Sequence, residues 1–155
     1  DHDLVQSVLG EQGLEVDFWR IAMRPGKPLI FGQMGDIPLI GLPGNPVSAL
    51  VCGLVFVKPA LAALQGFADS GQATASALLA SALPENDQRQ DYLRARLEPG
   101  PDGDWLAQPF GKQDSSMLSR LAQADCLVLR PPHAAAAKAG DRVEILSLNG
   151  ENSGI

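Results

Sequence analysis

Residues Leu42-Pro43-Gly44-Asn45-Pro46-Val47-Ser48 constrain this chain more than any other stretch. They join an apolar run of strand character, residues 38–41, to one of helical character, residues 47–64. A strand, a tight Pro/Gly turn and a helix are the parts from which an α/β fold builds an anion site. Asn45 suits the N-cap, where its side chain can accept from a free helical N–H. Pro46 suits the first helical position, where a missing N–H costs nothing. Gly44 lets a ligand approach the backbone closely. Unpaired amides and the helix dipole would then face an oxyanion. The same residues are also compatible with a well-capped helix start that holds no ligand.

A second turn bears on that choice. In Arg24-Pro25-Gly26-Lys27, Pro and Gly stand where a type II turn wants them, which makes Arg24 and Lys27 neighbours. The preceding residues 15–23 read as one strand, so Arg20, Ala22 and Arg24 share a face. The expectation is a cluster of three cations in a chain whose formal net charge is −6 and whose pI is near 4.7. Such a local reversal of sign suits a phosphorylated or oxyanionic small molecule. A long nucleic acid needs an extended basic surface, which an acidic chain does not offer. The ordinary alternative is that Arg20 and Arg24 solvate a strand edge or pair with Asp17 or Glu15.

At 155 residues and 45% hydrophobic, the chain can bury about two thirds of its unfolded surface, enough for one domain or two small ones. Aromatics are 5%, so the core must rest on Leu, Val, Ile and Ala. No uncharged apolar run reaches the ~20 residues of a membrane span, because Lys58-Pro59 bounds the longest. Cys52 and Cys126 sit apart in apolar runs and read as buried free thiols in a reducing compartment. His2 and His133 are isolated, which argues against a structural metal site.

Organisation changes near Gly66. Before it, a helix over residues 3–12, strands over 15–23, 29–33 and 37–42, and the long helix 47–64 suggest a layered α/β sheet. Pro59 is expected to kink that helix or to start a second one. Residues 69–72 read as a linker. Beyond them the pattern is mainly β: residues 92–97 alternate with period two, 99–104 form a turn, and 105–109, 126–129 and 142–148 are further strands. Residues 116–124 read as a short helix with Met117, Leu118 and Leu121 facing inward. A small barrel is the natural closure, since it removes strand edges.

Phe18-Trp19-Arg20-Ile21-Ala22-Met23-Arg24-Pro25-Gly26-Lys27-Pro28-Leu29, followed by Gly41-Leu42-Pro43-Gly44-Asn45-Pro46-Val47-Ser48-Ala49, resembles the molybdopterin molybdenumtransferases. These are the molybdenum insertases of cofactor biosynthesis, similar to the gephyrin E domain. Asp1-His2-Asp3 resembles the end of that family's Gly-Gly-x-Ser-x-Gly-Asp-x-Asp segment. Gln108-Pro109, Ser115, Met117-Leu118-Ser119 and Gly140-Asp141 resemble its C-terminal barrel. The chain departs from the family in carrying Arg20 and Arg24 where many relatives have Lys. It also has Asp114 and Ser116 where Gly is frequent.

The resemblance implies the C-terminal part of a layered α/β, molybdopterin-binding-like domain (residues 1–68), followed by a small mainly-β barrel domain (residues 69–155). It implies transfer of molybdenum from molybdate to adenylylated molybdopterin with release of AMP. Catalytic roles then fall to Asp3, Arg20 and Arg24. Substrate binding falls to Arg20, Arg24, Lys27, Pro43, Gly44, Asn45, Pro46 and Ser48. Asp3 is the expected ligand of Mg2+. The whole protein is expected to be a cytoplasmic homodimer without nucleic-acid or membrane partners, and this segment by itself is not expected to catalyse. The alternative function is a non-catalytic molybdopterin-binding or gephyrin-like scaffold module.

Overall fold

The computed structural model describes residues 8, 10–67, 74–114 and 118–148. The first part carries a three-stranded antiparallel sheet in the order β1-β3-β4, with β1 at Leu14–Phe18, β3 at Ile30–Met34 and β4 at Ile37–Gly41. Gly35, at φ 57°, makes the tight turn between β3 and β4. The strand expected over 15–23 is not continuous. It ends at Phe18, and a two-residue strand β2, Met23–Arg24, leaves for a different sheet.

The helix after Asn45 runs unbroken from Pro46 to Leu64. It consists of α1 (Pro46–Cys52), a π-helical turn (Gly53–Val57) and α2 (Lys58–Leu64). The wide turn precedes Pro59, so the ring is accommodated and the helix neither stops nor restarts. Gly66, at φ 82°, ends it: the Gly66 amide donates to Ala63 O at 3.0 Å and the Phe67 amide to Ala62 O at 3.1 Å. That is the Schellman arrangement, in which a positive-φ glycine lets the chain fold back on the last carbonyls. By length and by its mean hydropathy of 2.1, this 19-residue segment could cross a membrane; the expectation that Lys58-Pro59 would cut it short is not met. Its first half is packed: Val47, Ser48, Val51 and Cys52 are buried, whereas Leu50, Leu61 and Leu64 are exposed.

The second part closes a barrel, as its alternation predicts. β5 (Thr74–Leu79), β6 (Gln90–Pro99), β7 (Trp105–Pro109), β8 (Cys126–Arg130) and β9 (Arg142–Ser147) pair in the cycle β6-β7-β5-β9-β8-β6. β5 is not legible as a strand in the sequence. The expected helix is present as α3, Leu118–Ala122, but Leu118 is exposed and only Leu121 of the described pair packs inward. The helix expected over 3–12 and the linker 69–72 fall mostly or wholly outside the described residues.

Period-two alternation divides the apolar residues between two cores. Ala77, Leu79, Ala95, Ala107, Cys126, Val128 and Ile145 fill the barrel. Small side chains suit so narrow an interior. Their strand neighbours Leu127 and Leu146 point outward and meet Met23, Leu29, Val47, Val51 and Cys52 in the second core. That second core fastens the helix and the Arg24–Lys27 turn to the barrel wall. β2 adds a parallel pairing to β6, with Met23 opposite Gln90 and Arg24 opposite Asp91.

Candidate functional site

The chain turns at Ala22, where the Met23 amide donates to Ile21 O at 2.9 Å and the Ile21 amide to Lys27 O at 3.1 Å. Arg20, Ala22 and Arg24 therefore do not lie on one continuous strand. Arg20 and Lys27 instead line one hollow, of about 300 Å3, together with Ile21, Ala22, Gln88 and Arg89. The Arg20 guanidinium lies 4.6 Å from the Trp19 ring centroid, a cation–π contact that favours one orientation of the group. Arg24 lines a second hollow of about 450 Å3, whose wall includes Asp91, Leu93, Phe110, Gln113 and Arg130.

The Arg24–Pro25 peptide is cis. What fixes the turn is contact with the helix. Gly26 is buried at φ 121°, and a Cβ built there would stand 2.6 Å from Cys52 Sγ. No side chain larger than hydrogen fits between the turn and α1.

Arg24 is not free to solvate a strand edge, nor does it pair with Asp17 or Glu15. Its Nε donates to Asp91 Oδ1 at 2.9 Å and its Nη2 to Asp91 Oδ2, a two-point grip on a carboxylate that is itself buried. A third contact, Nη1 to Asp87 Oδ2, is 3.4 Å long. A bidentate pair of this kind fixes direction as well as charge, so Arg24 ties β2 to β6.

The turn 42–48 has the capping geometry the sequence suggests. Asn45 Oδ1 accepts from the Val47 amide at 3.1 Å and the Ser48 amide at 3.3 Å, and Pro46 occupies the first turn. Those amides are thereby satisfied by the cap, and the Ala49 amide donates to Asn45 O at 2.8 Å. The Ser48 amide thus has a partner already. None of the described lining residues of either hollow comes from Pro43, Gly44, Asn45, Pro46 or Ser48. At these residues the geometry is that of a helix cap.

Two arginines that sequence reasoning passed over stand out. Arg94 is among the most deeply buried side chains, 1% exposed. Its Nε donates to Gln113 Oε1 at 3.3 Å and its Nη2 to Asp114 O at 2.9 Å. Burial draws its pKa down, with the Asp114 carboxylate opposing. Arg89 reaches the Arg20–Lys27 hollow from the barrel side. The available signal was the charge itself: Arg94 lies on a strand whose alternation reads as half-buried, on the face away from Ala95 and the barrel core.

Asp3 lies outside the described residues. Among the described residues no three His, Cys, Asp or Glu side chains gather as a metal site. Asp87 and Asp91 are both engaged by arginines. The described residues do not present a built cation site.

Comparison with known proteins identifies the two parts of the chain. Residues 76–148 match the MoeA C-terminal region (domain IV), and residues 1–63 match the family described as "Probable molybdopterin binding domain". The chain carries a MoeA C-terminal region preceded by a molybdopterin-binding-type domain. The molybdopterin molybdenumtransferase of Haemophilus influenzae is 34% identical over 148 residues, covering 95% of this chain and 36% of that protein. Molybdopterin molybdenumtransferase 1 of Mycobacterium tuberculosis is 37% identical over 152 residues, covering 94% and 35% respectively. The crystal structure of the molybdopterin biosynthesis MoeA protein from Pyrococcus horikosii superposes with a TM-score of 0.76 at 32% identity, covering 96% of this chain and 35% of that one. The chain therefore spans about a third of the length of the relatives it matches. The mixed α/β architecture with a closed five-stranded barrel is that of its structural neighbours.

Proposed function

We propose that this chain is a segment of a molybdopterin molybdenumtransferase that holds the oxyanionic part of adenylylated molybdopterin or molybdate. The observation that carries this reading is the pair of hollows flanking Arg24, one bearing Arg20 and Lys27, at the junction of β2 with β6. The hydrogen-bond donors Arg20 and Lys27 can neutralise and orient phosphate or molybdate oxygens, guanidinium doing so at two points. Arg24, committed to Asp91, keeps the junction in register, and Arg94 adds a buried cation beneath the neighbouring loop.

In the whole protein the reaction transfers molybdenum to the dithiolene of molybdopterin and releases AMP. The reading extends to magnesium held by Asp3 in support of nucleotide release, to a homodimer, and to a cytoplasmic location without membrane or nucleic-acid partners. Burial of Val47, Val51 and Cys52 against the barrel supports a water-soluble setting for the long helix. The net charge of −6 supports a small-molecule ligand over a nucleic acid.

Anaerobic equilibrium binding of molybdopterin, with and without its adenylyl group, tests the reading. Lys27→Ala and Arg20→Ala are each expected to weaken binding by about 1.5–3 kcal/mol, the worth of a charge-assisted hydrogen bond. Unchanged affinity in both variants would remove the hollow from the site.

A further inference from the structure

We infer that the open end of the barrel is a binding site for a carboxylate carried on an apolar body, with Arg130 holding the carboxylate. This site does not depend on the proposed function, which places its oxyanion in the separate Arg20–Lys27 hollow.

Strand alternation sends Cys126, Val128 and Arg130 of β8 to the barrel interior. Arg130 is the last residue of that strand, so its side chain stands where the apolar filling stops. The ladder puts it opposite Asp91, and Val128 opposite Leu93, on β6. Arg130, Asp91 and Leu93 all line the hollow of about 450 Å3, as does Leu83, which packs against the barrel core. That hollow is therefore the end of the barrel itself. Leu83 and Ala137 close its rim by exchanging amide hydrogen bonds of 2.8 and 2.9 Å.

Arg130 is only 7% exposed, yet it forms no ion pair with any described residue. Its Nη2 donates to Pro84 O at 3.0 Å, to Ala135 O at 2.6 Å and to Ala134 O at 3.4 Å. Carbonyls hold the group in place but leave its charge unneutralised. Among the described residues Nε and Nη1 have no hydrogen-bond partner, and no fully buried side-chain nitrogen lacks one. Both nitrogens therefore keep access to open space, and the hollow supplies it. Of the two carboxylates in the same wall, Asp91 is gripped by Arg24 at both oxygens. Glu85 is exposed and pairs with no described residue. A guanidinium withdrawn from water without a counter-ion is costly, and an anion entering beside it removes that cost.

Leu83, Pro84, Leu93, Pro109 and Phe110 supply the apolar part of the wall. The volume is that of a small-molecule site, where apolar walls take the body of a ligand and a few polar groups orient it. One buried cation in such a wall selects a singly charged ligand with an apolar part. The carboxylate comes either from a free organic acid or from the end of a peptide chain.

Titration calorimetry tests the site with two pairs of probes: phenylacetate against phenylacetamide, and acetyl-Gly-Gly-Phe as free acid against its C-terminal amide. Tighter binding of the peptide acid than of phenylacetate identifies a chain end as the ligand, and the reverse order a free acid. The amides are expected to bind about tenfold more weakly than the acids, or less. Arg130→Lys keeps the charge but loses the planar fork, and is expected to weaken acid binding several-fold; Arg130→Leu should weaken it at least about tenfold. Phe110→Ala leaves Arg130 and its carbonyl partners untouched, and removes apolar wall worth about threefold or more in affinity.

Amides that bind as well as acids would overturn the inference, because the hollow would then be merely apolar. So would unchanged acid affinity in Arg130→Lys, or a folded wild-type protein that binds neither acid at millimolar concentration. Thermal midpoints establish that each variant is folded. Should Arg130→Leu unfold for want of its three carbonyl contacts, Arg130→Lys and Phe110→Ala decide the outcome.

Discussion

Gly26→Ala is the most informative single perturbation of this fold. Two independent costs act at that position. The backbone sits at φ 121°, where an L-residue is strained by about 1–3 kcal/mol. The added methyl would also lie 2.6 Å from Cys52 Sγ and 3.0 Å from Met23 Cε and Sδ. The methionine end is flexible and can give way, but Cys52 is fully buried on α1 and cannot swing clear. Overpacking of this kind costs about 1–3 kcal/mol. Together the loss is about 2–6 kcal/mol, a large share of the stability of a typical domain. Urea unfolding followed by tryptophan fluorescence and by far-UV circular dichroism measures it. The double variant Gly26→Ala/Cys52→Ala separates the two costs. Removing Cys52 Sγ relieves the clash and leaves the backbone strain, so the double variant should be more stable than the sum of the singles by about 1–3 kcal/mol. A Gly26→Ala protein within about 0.5 kcal/mol of wild type, well below either cost, would refute the close packing of turn on helix. Simple additivity in the double variant would refute Cys52 as the obstacle.

Two further outcomes follow from other parts of the structure. Asn45→Ala leaves the Val47 and Ser48 amides without their partner and should cost about 1 kcal/mol in urea unfolding, with Asn45→Ser close to wild type; faster hydrogen exchange at those two amides would locate the effect. Burial pushes the Cys52 thiol up to about 11 and the Cys126 thiol to about 12, from a usual 9.0. A pKa raised in the folded state means that the native protein keeps protons the unfolded chain has lost. Stability is therefore fully present below about pH 9 and falls as pH rises toward 11–12. Denaturation midpoints across pH 7 to about 11 should show that decline, and Cys52→Ala/Cys126→Ala should flatten it.

Strand alternation made most of the barrel legible. Residues 92–97 follow the polar/apolar rhythm of a half-buried strand, and the Pro/Gly-rich residues 99–104 announce the turn between β6 and β7. Thr74–Leu79 hides because its Ala and Ser residues carry little β preference; pairing on both sides, to β7 and β9, makes it a strand. The same limit explains the site. Residues 15–23 alternate well enough to pass for one strand, but β2 is claimed by β6, sixty-odd residues on, and that non-local pairing turns the chain at Ala22. Arg20 and Arg24 are parted by it. Asp91 and Asp87, the partners that hold Arg24, lie equally far along the sequence and give no local sign of their role. Arg94 was visible as a residue but not as a buried one, because residues 110–114 cover the outer face of its strand only once the barrel has formed.

The order in which the barrel cycle is strung along the chain sets a timetable for synthesis. β9 pairs with both β5 and β8, whose partners are otherwise complete on one side only. As the polypeptide emerges from the ribosome, β5 and β8 wait as open edges until residues 142–147 arrive, and such edges are templates for pairing with other chains. Among the described barrel strands, the last made is thus the one that seals the first. A ribosome stalled before residue 142 would leave a nascent chain with its helix capped and its cations in place, yet with a sheet able to recruit strangers.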